Sequence, residues 1–199
     1  IDELGGKVVT LSGPDGYVYD PDGVTGEKID YLLEMRASNR NRVQDYSDKF
    51  GCDFVAGKKP WGNVKADIYM PCARQNEILL EDAKAMVAIG VPILNEVSNM
   101  PTTNEAVAYL QAHGVLVTPS KAVNAGGVAT SGLEMSQNSE RLSWQAEEVD
   151  RQLKNIMKGI HNQICDALDT YGLPYNPVAG ANLAGFKKVA DAMLAQGIY

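Results

Sequence analysis

The sequence predicts an α/β protein, with a doubly wound, mostly parallel sheet followed by C-terminal helices. Three observations carry that expectation. Short apolar runs rich in β-branched residues alternate with helical patterns that end on glycine. The alternation stops after residue 125, and only helical periodicity follows. Most loops after the apolar runs are rich in small polar residues, as expected where parallel strands present their carboxyl ends to a ligand.

Each element has its own signal. "IDELGG" reads as the last turn of a helix closed by a glycine cap, so the chain is expected to be a fragment of a longer protein. "KVVTLS" (7–12) has the composition of a strand buried on both faces. "GPDGYVYDPDGVTG" reads as a turn-rich stretch, with Pro and Gly at turn spacing. Ile29, Leu32, Leu33 and Met35 mark a helix with Thr25 as its expected N-cap, and "VQDYSDKFG" marks a second helix ending on Gly51. "CDFVAG", "ADIYMPCA", "VPILNEVSN" and "VLVTPS" read as further strands, separated by the helical patterns "EDAKAMVAIG" and "NEAVAYLQAHG". Val149, Leu153, Ile156, Ile160 and Ile164 then form the apolar stripe of a long helix, with Ser143 as expected N-cap and Gly172 as C-cap. A last helix is expected over 180–196.

Composition narrows the function. The net charge of −7 and pI near 4.8 leave no basic stripe for a nucleic acid. No apolar run reaches the ~20 residues of a membrane span. Cys52, Cys72 and Cys165 are isolated and odd in number, which suits a reducing cytoplasm better than a disulfide framework or a zinc site. His113 and His161 each read as structural, and no nucleophile, metal cluster or phosphate loop is legible.

Three places remain for ligand chemistry. Asp15 follows the first strand, where a carboxylate in a dinucleotide-binding fold accepts ribose hydroxyls and repels a 2′-phosphate; equally, Gly13-Pro14-Asp15-Gly16 can be a turn alone. Asn99 follows a strand, and its amide can meet a ligand or cap the helix that starts near Thr102-Thr103. Asn124, Val128, Ser131 and Met135 recur at spacings of four, three and four, so they share one helix stripe behind the Gly126-Gly127 start. That stripe is either a pocket wall suited to a small carboxylate or part of a buried helix whose few polar groups satisfy their neighbours' backbone.

The blocks "LSGPDGYVYDPDG", "KPWGNVKADIYMPCARQNE", "NMPTTNEA", "PSKAVNAGGVATSGLEMSQNSERLSW" and "NPVAGANLAGFKKVADAMLAQG" together resemble the coenzyme-binding, C-terminal domain of bacterial hexameric glutamate dehydrogenases. The "GPDG" turn is similar to that of NAD-using clostridial members. The resemblance implies a Rossmann-like domain over 1–142, lacking its first strand, with a helical segment over 143–199 packing back on it. It implies Pro14 and Asp15 at the adenosine ribose, Cys72 and Ala73 beside the dinucleotide, and Asn99 at the nicotinamide ribose. Asn124 would meet the nicotinamide end and the amino-acid head of the substrate. Ser131 would bind the side-chain carboxylate of L-glutamate, with Val128 against its methylenes.

The same resemblance implies NAD as coenzyme, NADP less so, and oxidative deamination of glutamate to 2-oxoglutarate and ammonia in a cytoplasmic homohexamer. The family's catalytic lysine belongs to an N-terminal substrate domain, so no catalytic residue is expected in this chain, and the fragment alone is expected to be inactive. "EVSNMPTT" departs from many relatives in carrying Ser98 where they have Ala. Other readings are a dehydrogenase for NADP or another amino acid, and a non-catalytic nucleotide-binding or assembly module.

Overall fold

The computed structural model describes residues 1–40 and 42–197; positions 198 and 199 of the expected C-terminal segment lie outside the described residues. The chain is α/β, with a parallel three-stranded sheet and C-terminal helices, and it divides into two compact units.

The first unit comprises residues 1–66 and 85–90. A short 3-10 turn, Asp2–Leu4, is closed by Gly5 in the left-handed conformation, as the opening "IDELGG" suggests. Strands β1 (Thr10–Gly13), β2 (Gly16–Tyr19) and β3 (Asp53–Ala56) then form an antiparallel sheet in that order. The runs at 7–12 and 52–57 do not join the parallel sheet that the sequence predicts for them, and the turn-rich stretch contains the strand β2. Gly13 pairs with Gly16, so Pro14 and Asp15 form a two-residue hairpin loop, and so short a connection permits only antiparallel strands. The turn formers on both sides of "GYVY" hid a strand whose Tyr17 and Val18 are buried. Gly16 cannot be replaced here: at φ +152°, an added Cβ would come 2.3 Å from the Val55 carbonyl oxygen.

Helices α1 (Glu27–Ala37) and α2 (Val43–Phe50) cover this sheet's core, where Val18, Val24, Met35 and Tyr46 pack with Leu11, Phe50 and Phe54. Each fully buried apolar side chain contributes roughly 1.5–3 kcal/mol. Gly26, at φ +52°, occupies the N-cap of α1; Thr25, the expected cap, serves through its carbonyl, which accepts from Lys28 N. Gly51 closes α2 in the left-handed conformation, as expected. Inside this core the Asp20 carboxylate is 3% exposed. Its Oδ2 accepts from the Tyr46 hydroxyl and the Lys28 ammonium, both at 2.6 Å, and its Oδ1 accepts from Asp22 N at 3.2 Å.

The second unit comprises residues 67–84 and 91–199. Its strands β4 (Ile68–Tyr69), β5 (Ile93–Asn95) and β6 (Leu116–Thr118) are parallel and lie in chain order. Helices α3 (Leu80–Ala88) and α4 (Asn104–Ala112) make the crossovers, followed by the left-handed Gly90 and Gly114. Thr103 caps α4 by accepting from Ala106 N. After β6 the chain is helical: α5 (Ser120–Val123), α6 (Ala125–Glu140), α7 (Ala146–Thr170) and α8 (Pro177–Gln196). The N-cap position of α7 is Gln145 and its C-cap Tyr171, each next to or near the expected Ser143 and Gly172.

Helices α7 and α8 meet at Gly180, where an added Cβ would lie 2.8 Å from the Ile164 carbonyl oxygen. The Asn176 side chain both caps α8, through Ala179 N, and accepts from Gln111 of α4. A side-chain cap of this kind is worth about 1 kcal/mol.

Candidate functional site

In the first unit, Pro14 is exposed and Asp15 half-buried. The Asp15 carboxylate accepts from Val43 N at 3.2 Å and Gln44 N at 3.1 Å, while its backbone oxygen accepts from Gly57 N. Asp15 therefore does more than turn the chain: it caps the N-terminus of α2, where a negative charge suits the helix dipole. Each oxygen keeps accepting capacity, since a carboxylate has about four lone-pair sites. The arrangement can still receive a hydroxyl donor.

In the second unit, the segments leaving β4, β5 and β6 carry Cys72 and Ala73, Asn99, and Asn124. This is the strand end at which ligands meet open parallel sheets. Cys72 and Ala73 are exposed, and the Cys72 thiol donates to the Met70 carbonyl at 3.2 Å. Partial burial of the sulfur within an otherwise exposed residue, then the Glu77 carboxylate, push that thiol above its usual value, so it remains protonated at neutral pH. Cys72 is not an activated nucleophile.

Asn99 and Asn124 come together. Asn124 Nδ2 donates to Asn99 Oδ1 at 2.6 Å. This leaves the Asn99 amino group as a donor and Asn124 Oδ1 as an acceptor. The helix start that Asn99 was weighed against is capped by Thr103, so that side chain serves something else. Asn124 joins α5 to α6, occupies the N-cap position of α6 and makes no side-chain cap bond there.

The α6 stripe faces solvent. Val128 is 74% and Met135 71% exposed, and α6 has no buried residue. The burial expected of a core helix is absent from this face, although its hydroxyls do bond their own helix's backbone. Ser131 is exposed, its hydroxyl donating to Gly127 O at 3.3 Å; Thr130 makes the corresponding bond to Gly126 O at 2.9 Å. The longer bond leaves the Ser131 hydroxyl the more easily recruited by an anion. Of the two glycines at the start of α6, Gly126 faces Leu153 and Met157 of α7, and Gly127 is open.

Sequence reasoning missed the residues that hold this region together. Glu96, just past β5, is 6% exposed, and its Oε2 accepts from Ser120 N at 3.1 Å. Ser120 is 8% exposed, and its Oγ accepts from Met100 N at 3.3 Å. Met100 is held at φ +45°, a strained position for a non-glycine residue. The one available signal was a carboxylate inside the apolar run "ILNEV". Glu96, Met100 and Ser120 also line a cavity of about 830 Å³ with Thr102 and Lys121, which Asn99 and Asn124 do not line. Among the described residues, no group of three or more His, Cys, Asp or Glu could hold a metal ion.

Residues 1–197 match the family model for glutamate/leucine/phenylalanine/valine dehydrogenases. The chain belongs to this dehydrogenase family. It is 64% identical over 198 residues to the NAD-specific glutamate dehydrogenase of Clostridium symbiosum, spanning 98% of this chain and 44% of that protein. It is 59% identical, with the same coverage, to the NAD-specific glutamate dehydrogenase of Bacteroides fragilis (strain YCH46). A solved glutamate dehydrogenase structure superposes with a TM-score of 0.93 at 64% identity, again over 98% of this chain and 44% of the other. The chain thus spans less than half the length of these relatives. No described helix is long and apolar enough to cross a membrane.

Proposed function

We propose that this chain is the coenzyme-binding part of an NAD-dependent glutamate dehydrogenase that converts L-glutamate to 2-oxoglutarate and ammonia. The reading rests on the family membership and on one observation above the rest. An amide pair, the exposed Asn99 with the half-buried Asn124, stands at the strand ends, and Asn124 leads into an exposed helix face carrying Val128 and Ser131. The chemistry of that pair fits the coenzyme: the free Asn99 amino group can donate to a ribose hydroxyl, and the free Asn124 carbonyl oxygen can accept from the nicotinamide carboxamide. NAD, when bound, takes the hydride from the substrate Cα.

In this reading Pro14 and Asp15 receive the adenosine ribose, and the Asp15 charge disfavours the 2′-phosphate of NADP. Cys72 and Ala73 line the dinucleotide, and Asn99 donates at the nicotinamide ribose. Asn124 holds the nicotinamide end and the substrate's amino-acid head. Ser131 donates to the side-chain carboxylate, and Val128 covers the methylenes. Residues 1–142 supply the dinucleotide framework, and 143–199 pack back on it. An N-terminal substrate domain of the same parent chain supplies the catalytic lysine, and the parent works as a cytoplasmic homohexamer. The fragment alone is therefore inactive.

The test is Ser131→Ala in the full-length protein. Losing a hydrogen bond to a charged group costs about 1.5–3 kcal/mol, so kcat/KM for glutamate falls roughly ten- to a hundredfold. The KM for NAD stays within about twofold. Equal losses for glutamate and NAD would contradict the assignment, because the substitution would then be acting on α6 as a whole.

A further inference from the structure

The two asparagines lie on separate segments, after β5 and after β6, and one residue bonds both segments. Ser120 Oγ accepts from Met100 N at 3.3 Å, beside Asn99, and the Ser120 carbonyl accepts from Asn124 N at 2.9 Å. Ser120 is itself held from beneath, its N–H donating to the buried Glu96 carboxylate, whose own N–H donates to Thr118 O at 3.3 Å. The Met100 side of the clasp carries stored strain: φ is +45°, and the Met100 carbonyl is committed to Asn76 N at 2.9 Å. A left-handed non-glycine residue is strained and persists only where its neighbours over-determine it. The Ser120 hydroxyl is one of those neighbours.

We propose that Ser120 is a positioning residue: with Glu96 behind it, it holds the Asn99 and Asn124 amides in register, so that Asn99 presents its amino group and Asn124 its carbonyl oxygen to the ligand. The proposal rests on the reading of Asn99 and Asn124 as coenzyme and substrate contacts. Ser120 touches neither ligand and acts through the two amides. Without its hydroxyl, Met100 loses an acceptor for its N–H, the strained φ relaxes, and the Asn99 side chain no longer meets Asn124 at 2.6 Å. A misplacement of that kind affects alignment for the chemical step more than ground-state binding.

A double-mutant cycle in the full-length protein, assayed with glutamate and NAD, tests this. Ser120→Ala is expected to lower kcat/KM about tenfold, mostly in kcat, while in an Asn99→Ala background the same change costs less than about twofold. An equal loss in both backgrounds, or no loss in either, overturns the positioning role while leaving the ligand assignments intact. If Asn99→Ala alone changes neither kcat nor the KM for NAD, the reading of Asn99 as a coenzyme contact fails, and the inference with it. Should Ser120→Ala fail to fold, Ser120→Cys, which keeps a weak acceptor, is carried through the same cycle. A loss of about threefold that vanishes in the Asn99→Ala background supports the proposal, and a loss that persists there overturns it.

Discussion

Asp20 and Asn124 each anchor a side-chain network, and the two networks differ in what they leave over. Asp20 is 3% exposed; it is satisfied by Tyr46, Lys28 and a backbone N–H and offers nothing outward. The half-buried Asn124 side chain makes one bond, to the exposed Asn99, and both amides keep unused groups. The first network closes a core, where an unpaired polar group would be costly. The second holds unspent hydrogen-bonding capacity in a fixed orientation, which is what a ligand site needs.

Breaking the closed network gives the largest effect. Lys28→Met strips the counter-charge from a carboxylate whose side chain is 4% exposed, and stability measured by urea unfolding is expected to fall by about 3–5 kcal/mol. The same network sets a pH dependence. Burial works against ionisation of Asp20, but the Lys28 and Tyr46 hydrogen bonds outweigh it and hold its carboxyl below the ordinary value. A carboxyl lowered by folding stabilises the fold above its unfolded pKa, and that contribution disappears as pH falls through the folded value, here from about pH 4 downward. Burial, then the hydrogen bond to Asp20, push Tyr46 up, so its contribution is present below about pH 10 and is lost as pH rises beyond that. Midpoints from urea titrations at stepped pH are expected to fall at both ends, and flat profiles would show that the network does not govern stability.

Asp15 belongs to both classes and sharpens the comparison, since it caps α2 and keeps accepting capacity. Exchanging Asp15 for Lys together with Pro14 for Ser is expected to cost about 1 kcal/mol of stability through the lost cap and to shift the kcat/KM ratio of the full-length protein from NAD toward NADP. A stability loss without a change in that ratio would place Asp15 wholly among the closed, structural networks. The smallest expected effect is at Ser98, whose buried hydroxyl has no hydrogen-bond partner among the described residues. Ser98→Ala is expected to raise the unfolding free energy by about 1 kcal/mol.

The same contrast marks what the sequence made legible. Local signals read well: Gly51, Gly90 and Gly114 follow the helices they were expected to end, and Val128 and Ser131 lie on one helix, with Asn124 at its N-cap. Whatever depended on a distant partner did not. The strand Gly16–Tyr19 was masked by turn formers on both sides; it pairs antiparallel with β1 because their hairpin loop has two residues, and antiparallel with β3 across a long helical connection. Thr103 and Thr25 look alike as helix caps in sequence; at the second site Gly26 takes the capping position. The bonds of Ser120 to Glu96 and Met100 span 24 and 20 residues, and no short-range pattern reports them.

The comparison is tested most directly by measuring unfolding free energy and kcat/KM side by side for Asn124→Ala and Tyr46→Phe in the full-length protein. Asn124→Ala is expected to lose at least about tenfold in kcat/KM for glutamate while changing stability by less than about 1 kcal/mol, because its side chain caps no helix. Tyr46→Phe is expected to lose about 2 kcal/mol of stability, through the bond to the buried Asp20 carboxylate, and to keep kcat/KM within about twofold. Full activity in Asn124→Ala, or a tenfold loss in a folded Tyr46→Phe protein, would contradict the division between an open network that binds and a closed one that holds the fold.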